Sequence, residues 1–275
     1  MKKWLSLAFI IAVCTQAWSY TLIISDIDDT IKVSHILSST GKVSNALNVT
    51  KPFTGMAELF QLLLNQSPSS TRILYLSNAP ESVAGLPAMK ISHQAFLDYN
   101  NFPAGELNLR ADIFDPNHKI TEIRRLLIEE RPDTVILVGD NGERDPQIYH
   151  QATQEFGGKI RMYTFIHQLY SSRAPFLVPK FLAEIGAKIF PEQIGYVTPV
   201  EIALELHRRN LMSAAGTEYM LKNVLPQILD EGSLKFETLR AMTFPSFASC
   251  RDFVWRWDLT NETAPLKQKI MKMCQ

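Results

Sequence analysis

The sequence predicts an α/β fold, a parallel sheet covered by helices on both faces, and three observations lead there. Four short apolar, β-branched runs at Thr21–Ser25, Arg72–Ser77, Thr134–Val138 and Ile160–Phe165 alternate with helical patterns at about 56–64, 92–99, 119–130 and 146–156. Strand and helix in alternation are the mark of βαβ units. The strands are too continuously apolar to leave one face wet, as an antiparallel sheet would. Composition agrees: 46% hydrophobic and 20% charged residues, without a long low-complexity stretch or repeat, exclude a disordered chain and a membrane bundle.

Each element has local support. Beyond about Ala174 the strand signals fade. Thr198-Pro199-Val200-Glu201 reads as a capping box with proline at the first helical position, followed by apolar residues at helical spacing. Similar stretches at 218–229 and 233–242 complete the expected organisation: an export signal over 1–19, a catalytic domain over 20–174 and a helical C-terminal region over 175–275.

The first segment has the order of a secretory signal. Lys2 and Lys3 precede an apolar run from Trp4 to Val13, and small residues end at Ser19; the run is too short to span a bilayer. Cleavage is expected after Ser19, giving a secreted or periplasmic protein with no transmembrane segment. A lipid-modified Cys14 and an uncleaved anchor are the alternatives. Removing two lysines and no acids moves the formal charge from 28 − 28 = 0 to 26 − 28 = −2, which gives no bulk attraction for nucleic acid. Only Cys250 and Cys274 remain, either paired in an oxidising compartment or as two thiols.

The chemistry collects at strand ends. Thr21–Ser25 stops at Asp26-Ile27-Asp28-Asp29-Thr30, carboxylates where ligands bind in open α/β sheets. Acids at positions i and i+2 leaving a strand can point the same way, and their repulsion then demands a cation. The second strand delivers Ser77-Asn78, a hydroxyl and backbone N–H groups suited to a phosphoryl oxygen. Lys119 opens a helix after Asp115-Pro116-Asn117-His118, with His118 read as a loop residue. The strand ending Val138-Gly139-Asp140 runs into Asn141-Gly142-Glu143-Arg144-Asp145-Pro146, where Asp145 reads as an N-cap and Asp140 is left free as a metal ligand.

In order, Asp26/Asp28, Ser77, Lys119 and Asp140/Asp145 resemble the four motifs of the haloacid dehalogenase superfamily, over about residues 20–170. Asp26-Ile-Asp-Asp-Thr-Ile-Lys32, Tyr75-Leu-Ser-Asn78 and Gly139-Asp-Asn-Gly-Glu-Arg-Asp-Pro146 look more closely like the catalytic domain of App1-type phosphatidate phosphatases. The resemblance implies a Rossmann-like domain and a phosphatase in which Asp26 attacks phosphorus to form an aspartyl-phosphate. Asp28 is the implied acid and base, while Ser77, Asn78 and Lys119 hold the phosphoryl group. Mg²⁺ is the implied cofactor, bound by Asp26, the Asp28 backbone carbonyl and Asp140, with Asp145 in support.

The spans 31–76 and 78–118 leave no room for a full cap domain, so the cap is expected to be minimal. An open site suits a phosphorylated lipid at a membrane surface, with a soluble phosphoester, a phosphoprotein or a catalytically silent binding module as alternatives. Phe176, Leu177, Val178, Phe181, Leu182, Ile185, Ile189 and Phe190, with Lys180 and Lys188, are either an interfacial helix or core; Phe244, Phe247, Phe253, Trp255 and Trp257 read first as core.

Overall fold

The computed structural model describes residues 20–38, 45, 48–82, 86–173, 184–232 and 241–274. The expected signal segment, most of the 176–190 apolar stripe and the 233–240 part of a predicted helix lie outside them.

Six strands form one sheet in the order β3-β2-β1-β4-β5-β6. They are β1 (Thr21–Ser25), β2 (Thr71–Pro80), β3 (Glu106–Arg110), β4 (Thr134–Asp140), β5 (Arg161–His167) and β6 (Ile194–Tyr196), and every pairing is parallel. The four expected strands are present. Two edge strands went unpredicted: Glu-Leu-Asn-Leu-Arg is too polar, and Ile-Gly-Tyr, three residues with a central glycine, too short to stand out from loops.

Alternate residues of each strand face opposite sides, so a parallel sheet needs two covers. Leu22, Ile24, Leu74, Leu76, Val135 and Leu137 pack on α3 (His118–Glu130) and α4 (Asp145–Phe156). On the opposite face Ile23, Ile73, Ile136 and Val138 join α1 (Met56–Gln66), α2 (Ala88–Tyr99) and α5 (Pro199–Arg208). That same cluster takes in the π-helical turn at Met220–Val224 that continues α6 (Ala214–Tyr219), α7 (Leu225–Asp230) and α8 (Thr263–Met273). The region after residue 175, expected to be helical, therefore also supplies the edge strand β6 and joins α1 and α2 in the layer on that face. Phe253 and Trp257 are buried in this core, and Phe244, Phe247 and Trp255 pack against it. Cys250 and Cys274 are joined by a disulfide, which ties the end of α8 to this layer.

The capping box forms as expected: the Thr198 side chain accepts from the Val200 N–H, and Glu201 accepts from the backbone N–H groups of Val197 and Thr198 at 3.2 Å each. Burial pushes the Glu201 carboxyl from its ordinary value near 4.5 up to about 7. A raised acid pKa means that the folded chain holds a proton the unfolded chain has released, so stability is full below pH 4.5 and falls as pH rises toward 7. The loss is about 3 kcal/mol. Glu201→Gln keeps the cap acceptor and should flatten that decline in urea unfolding measured from pH 4.5 to 8; an unchanged slope would place the proton elsewhere.

Candidate active site

The sheet order reverses between β1 and β4, and the crevice beyond the carboxyl ends at such a switch point is where open α/β sheets bind ligands. Asp26 follows β1 and its N–H extends the ladder to the Val138 carbonyl at 2.8 Å. Asp140 ends β4. The two acids thus meet across the switch point, although more than a hundred residues separate them in the chain.

Lys119 joins them from the first turn of α3. Its Nζ donates to Asp26 Oδ1 at 2.7 Å and to Asp145 Oδ1 at 2.6 Å, with all three side chains buried. Asp26 Oδ2 accepts from the Thr30 hydroxyl at 3.1 Å. Asp140 Oδ1 accepts from the Gly142 N–H, whereas Asp140 Oδ2 and Asp145 Oδ2 are buried and have no hydrogen-bond partner among the described residues. Asp145 is not the expected N-cap. Arg144 occupies that position without a capping bond, and Asp145 turns inward to the lysine. A side chain on Gly139 would collide with Asp145 Oδ2 and Tyr149, so the close approach of β4 to α4 requires glycine.

The electrostatics follow from one lysine among three buried carboxylates. Burial, then mutual repulsion, raises the pKa values of Asp26 and Asp140, and burial raises Asp145, against the downward pull of Lys119. Burial opposes the Lys119 charge, but Asp145 and Asp26 override it and hold the ammonium well above its ordinary pKa. One ligand atom from each of Asp26, Asp140 and Asp145 lies within 4.8 Å of the others. Two unpartnered carboxylate oxygens in an all-oxygen, net negative cluster fit a divalent cation.

Asp28 does not point into this cluster. Its carboxylate meets His93 Nε2 at 3.2 Å and Lys32 Nζ at 3.7 Å, and accepts from the Ser34 hydroxyl. Burial works to raise its pKa, yet the His93 hydrogen bond and the charges of His93 and Lys32 hold the carboxyl well below the usual range. The expected repulsion between Asp26 and Asp28 is thus relieved by two separate cationic partners. Ser77 is buried, and its Oγ accepts from the Ala79 N–H at 3.0 Å. Asn78 is half-buried beside Glu143. Asp28 and Asn78 line a cavity of about 420 Å³ together with Ser34, Ile36, Met89, Arg110, Pro116 and Arg144.

Three supporting residues escaped sequence reading. His93 sits on the buried face of α2, where a lone histidine gives no signal. Asp29 was one acid among three, yet its two oxygens collect the N–H groups of Ser34, His35 and Ile36 and the Tyr170 hydroxyl, which folds residues 29–36 into the wall of the cavity. His167 sets its ring nitrogens against the Asp29 and Val197 carbonyls at 2.9 and 3.1 Å, and burial lowers its pKa to about 4, so the neutral ring donates to one of them. His118, expected in a loop, is the buried first residue of α3.

A parallel sheet with carboxylates from two adjoining strand ends, a buried lysine and an adjacent open cavity defines a phosphatase of the α/β class. Residues 21–168 match the model of the phosphatidate phosphatase APP1 catalytic domain, more than half of the chain, and the protein belongs to that family. No curated protein matches. A solved structure, that of the Pnkp1/Rnl/Hen1 RNA repair complex, is similar over 54% of this chain and 43% of that one, at 13% identity and TM-score 0.34.

Removing one member of a buried charge cluster costs about 3–5 kcal/mol, because the remaining charges stay desolvated. Lys119→Met should lower stability by about that much in urea unfolding at pH 7. A loss under about 1 kcal/mol would mean that the carboxylates take up protons in place of the lysine's charge and that the fold does not depend on the ammonium group.

Proposed function

We propose that the protein is an exported, Mg²⁺-dependent phosphatase that removes phosphate from phosphatidate or a related lipid through an aspartyl-phosphate on Asp26. The nucleophile reading is supported by the position of Asp26 at the switch point, where Lys119 fixes one carboxylate oxygen. Covalent attack divides one difficult displacement into two easier ones. Asp28, beside the cavity, is the acid and base. Held ionised in the resting chain, it suits removal of a proton from the hydrolytic water; the leaving alkoxide's proton must first reach it from the substrate or solvent. Ser77, Asn78 and Lys119 hold the phosphoryl group. Asp26, Asp140 and Asp145 would hold the metal ion, with the Asp28 backbone carbonyl as a further ligand, and the ion would supply positive charge against the phosphoryl oxygens.

The preference for a lipid rests on one observation. Four large apolar side chains are exposed on the two segments that reach the cavity mouth: Phe114 (84%) and Ile113 (51%) in the loop carrying Pro116, and Leu86 (67%) and Ile91 (64%) around the α2 residue Met89. Clustered exposed apolar residues mark an interaction surface, whereas scattered ones do not. No helix among the described residues is long and apolar enough to cross a membrane; the exposed apolar side chains of these two segments are the feature that favours a lipid surface. Export is supported by the basic–apolar–small order of residues 1–19 and by the disulfide, which suits an oxidising compartment.

The test is phosphate release from phosphatidate in mixed micelles and from a soluble phosphomonoester, with Mg²⁺ or EDTA. Asp26→Asn should abolish release from both while the fold persists, and EDTA should do the same to the unsubstituted chain; retained turnover in the variant would sink the covalent mechanism. Phe114→Ser should lower the micelle rate about tenfold, the equivalent of withdrawing one aromatic side chain from an apolar phase. The soluble ester should be cleaved at its former rate. Equal losses on both substrates would remove the argument for a lipid surface.

A further inference from the structure

Asp28 has partners of two kinds, and they fix it to different things. Lys32 and Ser34 meet its carboxylate from the same loop, four and six residues further along, and move with it. His93 comes from α2, a separate element, and its Nε2 lies 3.2 Å from Asp28 Oδ2. The other ring nitrogen is engaged as well: Nδ1 is 2.8 Å from the Met89 carbonyl, one turn earlier on the same helix. A carbonyl only accepts, so Nδ1 is the donor there, and the ring cannot turn away from Asp28 without breaking that bond too.

The helix that carries the ring is itself well seated. His93 is fully buried, and Phe96 and Leu97 anchor the following turn in the core. Phe96, three residues on and thus on the same helix face, holds the Lys32 ammonium 6.0 Å from its ring centre. One face of α2 therefore sets both Asp28 and its neighbour Lys32. The Asp28 side chain keeps 20% of its surface open, and Asp28 and Met89 both line the cavity, so the clamp leaves the carboxyl group within reach of an ester there. A proton donor must meet the departing oxygen at hydrogen-bond range, and a misplacement of about 1 Å costs on the order of 100-fold in rate. Bonds within one loop do not hold a side chain to that tolerance, whereas a bond to a packed helix does.

We propose that His93 is a positioning residue for the acid step, fixing Asp28 against α2 so that its carboxyl group meets the leaving oxygen of the substrate. This rests on the reading of Asp26 as nucleophile and Asp28 as acid, and adds a residue to the same site. The role is selective by its chemistry. A phenol ionises at a pH of about 10, so a phenoxide departs with little help, whereas an alkoxide is a far stronger base and needs the proton. Loss of a purely structural histidine would instead slow every ester alike.

Phosphate release from decyl phosphate and from 4-octylphenyl phosphate, both in detergent mixed micelles with Mg²⁺, separates the two roles. The quantity to read is kcat/KM, which covers the steps through departure of the alcohol and not the later hydrolysis of the enzyme-bound phosphate. Asp28→Asn and His93→Ala should each lower it at least about tenfold more for the alkyl ester than for the aryl ester, the scale of one hydrogen bond to a charged group. His93→Gln keeps an N–H donor for Asp28 and should recover most of that difference. A biased Asp28→Asn beside an unbiased His93→Ala, or a bias that His93→Gln leaves in full, overturns the proposal while the acid reading stands. An unbiased Asp28→Asn overturns the acid reading and the role of His93 with it. No release from either ester by the unsubstituted chain overturns the hydrolase reading as a whole.

Discussion

The site is organised around one buried ammonium group held between two carboxylates. Lys119 reaches Asp26 and Asp145 from a third segment of the chain, and Asp140 stands close by with one oxygen unpartnered. Three carboxylates and one lysine give −3 + 1 = −2 in a place shielded from water, where Coulomb energies are several times those at the surface. This arrangement persists either by taking up protons, which the raised carboxyl pKa values express, or by taking up a cation. The same charge deficit makes the lysine a stabilising partner and the cluster a fitting metal centre.

Around this cluster the fold supplies rigidity from below and shape from above. Beneath it, β1 and β4 pair in register from Thr21 opposite Thr134 to Ser25 opposite Val138, which fixes the strand ends that carry Asp26 and Asp140. Above it, Asp29 gathers three backbone N–H groups and the Tyr170 hydroxyl into a loop wall. Phe247 from the C-terminal region stacks on His35 of that loop, with ring centroids 4.0 Å apart. The C-terminal layer therefore buttresses the site while packing into the same core as α1 and α2.

Two acids two residues apart end in opposite electrostatic states. Asp26 is driven toward its neutral form by burial and by neighbouring carboxylates, against Lys119. Asp28, also deeply set, is held ionised by His93 and Lys32. Pairs of titratable groups whose surroundings push them apart are the usual basis for assigning different chemical duties to like residues. Here the difference comes from His93 on α2, far from the acidic motif in the chain, and from Lys32 at the motif's own end.

By itself the sequence determined the class of fold, the four inner strands with their helices, and the acids, serine and lysine at the strand ends, because all of these depend on local periodicity and on where an apolar run stops. Tertiary structure decided the rest. β3 and β6 are strands only because a neighbour offers a hydrogen-bonding edge; their own residues carry no strong preference. Asp145 is a fair N-cap by local rules, yet a buried lysine attracts its carboxylate more strongly than helix N–H groups do. Cys250 and Cys274 could equally have been two thiols until packing of α8 brought their Cα atoms to 4.5 Å. His93 and Asp29 gain meaning only from what surrounds them, since burial and charge compensation are properties of contacts between distant segments.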